Sequence, residues 1–268
     1  MSAIGSFVAL GDSFSEGIGD PYPDGRGYRG WADRFASRLA VFVPGLRYAN
    51  LAVRGKIMAE VVRDQLPAAV RMSPDLVSIA AGGNDLLRFS ADPDQLAAAL
   101  DDAVSQLRGA GCDVLMFTGF DPRTFPVIRL VRGKAAVFNM HIREIAERRL
   151  CRLVDLWAMR ILTDRREWCP DRLHLSPDGH RRVALRACEV MGIPVEEDWR
   201  EPLPGPAPAR TRPGAWLQAR LLDARWAREH AMPWVSRRLR GVSTGDGIPP
   251  KRPELLPLDV LPGDMSRA

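Results

Sequence analysis

The chain has 268 residues, 46% of them hydrophobic and 26% charged, with a formal net charge of +5. That length and balance allow a substantial core without disulfide staples and exclude a disordered chain or a fibre. No run approaches the roughly 20 apolar residues of a membrane helix.

The opening MSAIGSFVALGDS has no basic residue before its short apolar run, so it reads as a first strand and not as a secretion signal. Further strands are expected at 47–52, 76–80, 114–118 and 152–156, short apolar stretches without strict alternation, as in strands covered on both faces. Helical spacing occupies 31–39, 58–70, 94–108 and 135–149. Pro93 suits the first turn of the third of these, and Gly109 with Gly111 its end. A last helix follows Ser176 and Pro177, an N-cap serine before a proline at the first helical position. Five strands separated by helices predict an α/β fold with a five-stranded parallel sheet, whose working face lies beyond the carboxyl ends of the strands.

After Pro194 the character changes, which sets the expected division at 1–195 for the main domain and 196–268 for a C-terminal extension. Half of the 22 prolines lie in 200–268, and this stretch holds 12 basic against 7 acidic residues, whereas 1–199 holds 26 of each. The charge excess therefore belongs to the extension. No nucleic-acid recognition motif accompanies it, so it reads as a solvated arginine-rich face. Within it, 215–240 is expected to form an amphipathic helix, either packed on the domain or touching a membrane surface or a partner. The last thirty residues read as poorly ordered. Cys112, Cys151, Cys169 and Cys188 show no zinc spacing and are expected to be reduced in a cytoplasmic protein, with no metal and no cofactor.

Four polar blocks fall at the predicted carboxyl edge. Gly11-Asp12-Ser13 follows the first strand, and Asn50-Leu51-Ala52-Val53-Arg54-Gly55 the second. Gly82-Gly83-Asn84-Asp85 follows the third, and Asp171-Arg172-Leu173-His174 lies beyond the fifth. Each has a plainer reading on its own: an N-cap serine, glycine turns, a surface Asp–His pair. Each also has a chemical one. A serine hydroxyl needs a base, the base needs an acid to fix its tautomer, and an oxyanion needs donors such as an asparagine amide or a backbone N–H beside glycine.

Together the blocks resemble those of an SGNH hydrolase of the GDSL esterase and lipase superfamily, over roughly residues 6–191. The resemblance implies a three-layer α/β/α, flavodoxin-like fold and a triad of Ser13, His174 and Asp171. It also implies an oxyanion hole from Ser13 N–H, Gly55 N–H and the Asn84 side chain. Phe14 stands where the family motif has leucine, so an altered pocket wall is expected there, and His180 is read as structural. Phe125, Val127, Ile128 and Leu130 are candidates for an acyl pocket, with Arg129 or Arg132 at its mouth. The implied function is a carboxylesterase- or lipase-like ester hydrolase acting on a small-molecule ester. The same triad could serve an acyltransferase or a carbohydrate O-deacetylase. A flavodoxin-like binding module is disfavoured, because the first strand–helix turn lacks a Thr- and Ser-rich phosphate loop.

Overall fold

In the computed structural model the five expected strands lie side by side and parallel, in the order β5-β4-β3-β1-β2. They are β1 (Ser6–Gly11), β2 (Arg47–Asn50), β3 (Leu76–Ala80), β4 (Asp113–Phe117) and β5 (Arg152–Val154). The structure describes residues 4–88, 90–125, 128–205, 228 and 244–258. The sheet has six strands, not five: β6 (Arg252–Pro257) pairs antiparallel with β2 at the edge. It comes from the extension that reads in sequence as poorly ordered. Pro253 and Pro257 mask it, because a proline lacks the ladder N–H and is tolerated in a sheet only at an edge. The expected helix at 215–240 lies outside the described residues apart from position 228.

The helices are α1 (Ser13–Glu16), α2 (Gly30–Phe42), α3 (Met58–Glu60), α4 (Leu66–Met72), α5 (Gly83–Leu86), α6 (Pro93–Gly109), α7 (Arg132–Arg148) and α8 (Pro177–Met191). Alternate residues of the central strands feed two separate cores. Phe7, Ala9, Leu115 and Phe117 point to the side of α2 and α8, where they meet Trp31, Phe35, Val183 and Ala184. Val8, Leu10, Val114 and Met116 point to the other, where they meet Met58, Leu100, Val104 and Phe138. This is the three-layer arrangement expected of a sheet buried on both faces. Ser176 caps α8 by accepting from Gly179 N, as its sequence signature predicts. Among the described residues no helix is long and apolar enough to cross a membrane.

One predicted helix differs in detail. The segment expected as continuous over 58–70 contains a π-helical turn, Val61–Gln65, between α3 and α4. Pro67 at the start of α4 cannot donate to the preceding turn and crowds the carbonyl four residues back, and the wider turn accommodates it. The extra residue brings Gln65 to the sheet, where it is buried.

Candidate active site

The carboxyl ends of β1, β2 and β3 and the loop before α8 surround one cavity of about 510 Å³. Ser13 opens α1 immediately beyond β1. Asp12 caps that helix, its Oδ1 accepting from Phe14 N at 3.0 Å. The turn is held from below by Gln65, whose Oε1 accepts from Gly11 N (2.8 Å) while its Nε2 donates to Gly11 O (2.9 Å). Gly11 has φ +142°, and a Cβ there would meet Ala80 O at 2.3 Å, so only glycine lets β1 turn this close to β3.

Beyond β2, Gly55 reaches the same cavity. Its neighbour Arg54 is fastened to the buried Glu16 of α1. The Arg54 backbone N–H donates to Glu16 Oε2 at 2.6 Å, and the guanidinium forks onto the same carboxylate through Nε and Nη2. Asn50, fully buried, donates through Nδ2 to Ser15 O at 2.8 Å. Two contacts thus lock the β2 loop to the helix that carries Ser13.

Beyond β3, Asn84 Nδ2 donates to Asp12 Oδ2 and to Lys56 O, both at 3.0 Å. Asp85 is buried, and its Oδ2 accepts from Met58 N at 2.9 Å. Burial raises the Asp12 carboxyl to about 6, against the lowering effect of the Phe14 N–H and of His174.

The fourth block is a closed loop. Cys169 N donates to His174 O at 2.8 Å and Ser176 N to Glu167 O at 2.8 Å, and Trp168 bridges to Leu175. Arg172 sits at its tip with φ +58°. Asp171 Oδ1 accepts from the N–H groups of Leu173 and His174, and its Oδ2 accepts from His174 Nδ1 at 2.7 Å. Burial alone would raise Asp171. The hydrogen bond and charge of His174, with the two loop N–H groups, outweigh it and hold the carboxyl below its ordinary range. With Nδ1 engaged, Nε2 is the His174 nitrogen left to move a proton.

The structure therefore brings Ser13, Gly55, Asn84, Asp171 and His174 to one cavity. Phe14 also lines it, packed between Trp31 and Phe117 with ring centroids 5.6 Å from each. His180 stands apart in role. It is buried and its ring is lowered to about 4 by burial, so it is neutral, with Nδ1 accepting from Trp31 N and Nε2–H donating to Ile18 O.

The expected acyl-pocket residues divide. Ile128 lines the cavity. Phe125 lies behind it against Phe120 and Trp168, and Leu130 points away, 81% exposed. Arg132 turns aside to Asp121 at 2.7 Å. Val127 is outside the described residues. The apolar wall comes instead from Phe120, Val131, Ala135, Phe138 and Ile142, the last three spaced along one stripe of α7. The helix expected at 135–149 is present as Arg132–Arg148, but its spacing does not tell that one stripe of it faces the cavity. Gln65 also escapes a motif search, although a glutamine on the apolar side of a predicted helix is a visible anomaly. Glu16, three residues past Ser13, carries no local signal.

A family model described as the GDSL-like lipase/acylhydrolase family matches residues 9–182. The chain belongs to that family. It is accordingly an ester-bond hydrolase by family. Solved structures share its fold. A variant of Axe2, an acetyl xylan esterase from Geobacillus stearothermophilus, is 22% identical, with 73% of this chain and 100% of that chain covered and a TM-score of 0.60. The psychrotrophic esterase EstA from Pseudoalteromonas sp., in a structure inhibited by monoethylphosphonate, is 17% identical over 70% of this chain and 97% of its own, with a TM-score of 0.56. TesA is 23% identical over 69% and 97%, also at 0.56. No curated protein matches the sequence.

Proposed function

We propose that the enzyme hydrolyses a small-molecule carboxylic ester with an apolar, medium-length acyl chain, through an acyl-enzyme on Ser13. His174 Nε2 takes the Ser13 proton as Oγ forms its bond to the ester carbonyl carbon. The tetrahedral oxyanion accepts from Ser13 N–H, Gly55 N–H and Asn84 Nδ2. Asn84 already serves two acceptors, so a charged oxyanion competes with a carbonyl and a carboxyl for an N–H whose direction is fixed beforehand. The C–O bond to the alcohol then breaks, and the alcohol leaves with the proton from His174. Water, deprotonated by the same nitrogen, cleaves the acyl-enzyme and releases the acid. Asp171 keeps the proton on Nδ1 and stabilises the imidazolium.

The observation that carries this reading is the meeting of residues from four separate loops at one cavity, with the His174–Asp171 pair at 2.7 Å. The acyl preference rests on the apolar α7 stripe facing that cavity. The test is covalent labelling with a fluorophosphonate, located by peptide mass spectrometry, beside turnover of Ser13→Ala. The expected result is a single adduct on Ser13 and a loss of roughly 10⁴-fold or more in the variant. A Ser13→Ala enzyme that turns over like the wild type would remove the serine from the mechanism.

A further inference from the structure

The family match ends at residue 182, yet a segment far beyond it reaches the cavity. Thr244 lines the pocket. Gly245 follows, seated on the backbone that presents Gly55: a Cβ on Gly245 would lie 2.1 Å from Arg54 O and 2.9 Å from Val53 Cγ1. No side chain fits there while the Arg54–Gly55 turn keeps its place. The chain then enters β6, and just before it Lys251 turns inward. Its ammonium donates to Tyr28 O (2.9 Å), Arg29 O (2.8 Å) and Asp33 Oδ1 (2.8 Å), three acceptors for three donors.

From Asp33 the contacts run on to the nucleophile. Tyr48 OH donates to Asp33 Oδ1 at 2.7 Å, Asn50 Nδ2 donates to Tyr48 OH at 3.0 Å, and the same amide donates to Ser15 O. Ser15 lies on α1 two residues from Ser13. The charges follow the same plan. Asp20, Glu16 and Asp33 are all buried close to this turn. Arg34 answers Asp20, Arg54 answers Glu16 and Lys251 answers Asp33. One of the three cations is thus supplied from more than 200 residues away in sequence.

We propose that residues 244–258 are a working part of the active site, with Lys251 a positioning residue for the Ser13 turn and Thr244 a specificity-determining wall beside Gly55, on the side of the ester's alcohol. The inference rests on the Ser13 reading above. An uncharged, shorter chain at 251 leaves Asp33 buried without its cation, and the Tyr48–Asn50–Ser15 contacts lose their anchor. Gly245 sits on the turn after β2, whereas α7 packs on β4 and β5 across the sheet, so a larger side chain at 244 narrows the cavity away from the apolar α7 stripe.

The test uses the full chain as wild type, Lys251→Met, Lys251→Arg and Thr244→Trp. The readouts are the rate of fluorophosphonate labelling of Ser13, kcat and KM over esters that share one acyl group but differ in alcohol, and the thermal unfolding midpoint. At a temperature where circular dichroism finds it folded, Lys251→Met should label and turn over on the order of 10²-fold more slowly, the scale of an ångström-level misplacement. Lys251→Arg should recover most of both. In Thr244→Trp the ratio of kcat/KM for bulky over small alcohols should fall about tenfold, one increment of pocket fit.

A Lys251→Met protein that melts lower but labels at the wild-type rate overturns the positioning role and leaves only a structural one. If that variant does not fold, Thr244→Trp decides, and an unchanged alcohol ratio overturns the proposal. Wild-type enzyme that takes no label on Ser13 defeats the serine reading itself and this inference with it, an outcome distinct from equal labelling of wild type and variant.

Discussion

The acyl pocket makes a quantitative claim about chain length. Ala135, Phe138 and Ile142 present one stripe of α7 to the cavity, and all three are nearly buried. An octanoyl chain carries four more methylenes than a butyryl chain. At about 0.8 kcal/mol for each methylene taken out of water, full burial sets a ceiling of about 3 kcal/mol. If that energy is realised in the transition state, kcat/KM for p-nitrophenyl octanoate exceeds that for the butyrate by up to on the order of 10²-fold. Ala135→Phe places a ring in the space those methylenes need. The octanoate-to-butyrate ratio should then collapse towards one, while acetate turnover falls least. The assay is steady-state kinetics over acetate, butyrate, hexanoate and octanoate for both proteins, below the micellar concentration of each ester. A flat wild-type profile, or an Ala135→Phe enzyme that keeps its octanoate preference, would refute the assignment of this stripe to the acyl chain.

Other expectations concern single groups. Asn84→Ala should lower kcat by about 10²–10³-fold, the usual cost of one oxyanion donor, with the protein still folded by circular dichroism. Gln65→Leu takes from the buried Gly11 N–H its side-chain acceptor and leaves Gly11 O only the 3.3 Å bond from Val53 N, so at about 1–3 kcal/mol for an unmet group urea unfolding should register a loss of about 1–3 kcal/mol together with reduced turnover. For His180 the sign follows from its lowered value. Between its ordinary 6.5 and about 4 the unfolded chain binds a proton that the folded ring refuses. Its contribution is therefore complete above about pH 6.5 and lost as the pH falls to about 4, by about 3 kcal/mol. The unfolding free energy of His180→Gln should fall less than the wild type's over that interval.

The strands and helices were legible because burial on both faces writes itself into sequence as short apolar runs between helical stretches. The 76–80 strand is found at its expected bounds as Leu76–Ala80. The polar blocks were legible because each follows a strand, where chain direction alone brings it to the carboxyl edge of the sheet. What stayed hidden was the pairing of distant groups. Glu16 meets Arg54 across 38 positions, Gln65 meets Gly11 across 54 and Lys251 meets Tyr28 across 223. Periodicity tells which face a residue occupies and nothing of its partner. The strand β6 was hidden for a different reason. Its two prolines and its lack of alternation argue against a strand, and both are compatible with one only at an edge.

The hidden pairs share a physical character that bears on what they do. Glu16–Arg54, Asp20–Arg34 and Asp33–Lys251 each hold a carboxylate whose side chain is at most 7% exposed. Desolvating such groups consumes most of what their attraction returns, so apolar residues of similar volume would stabilise the fold as well or better. Apolar residues would not, however, fix direction. A carboxylate that accepts from a backbone N–H and a guanidinium together sets both distance and angle for the chain that donates, as Glu16 does for the Arg54–Gly55 turn. Removing one member then leaves a buried charge unmet, and the turn must move to hydrate it. A single substitution in these pairs should therefore shift the geometry around Ser13 and Gly55 before it unfolds the domain. Catalysis, which depends on that geometry more steeply than stability does, should be the first property lost.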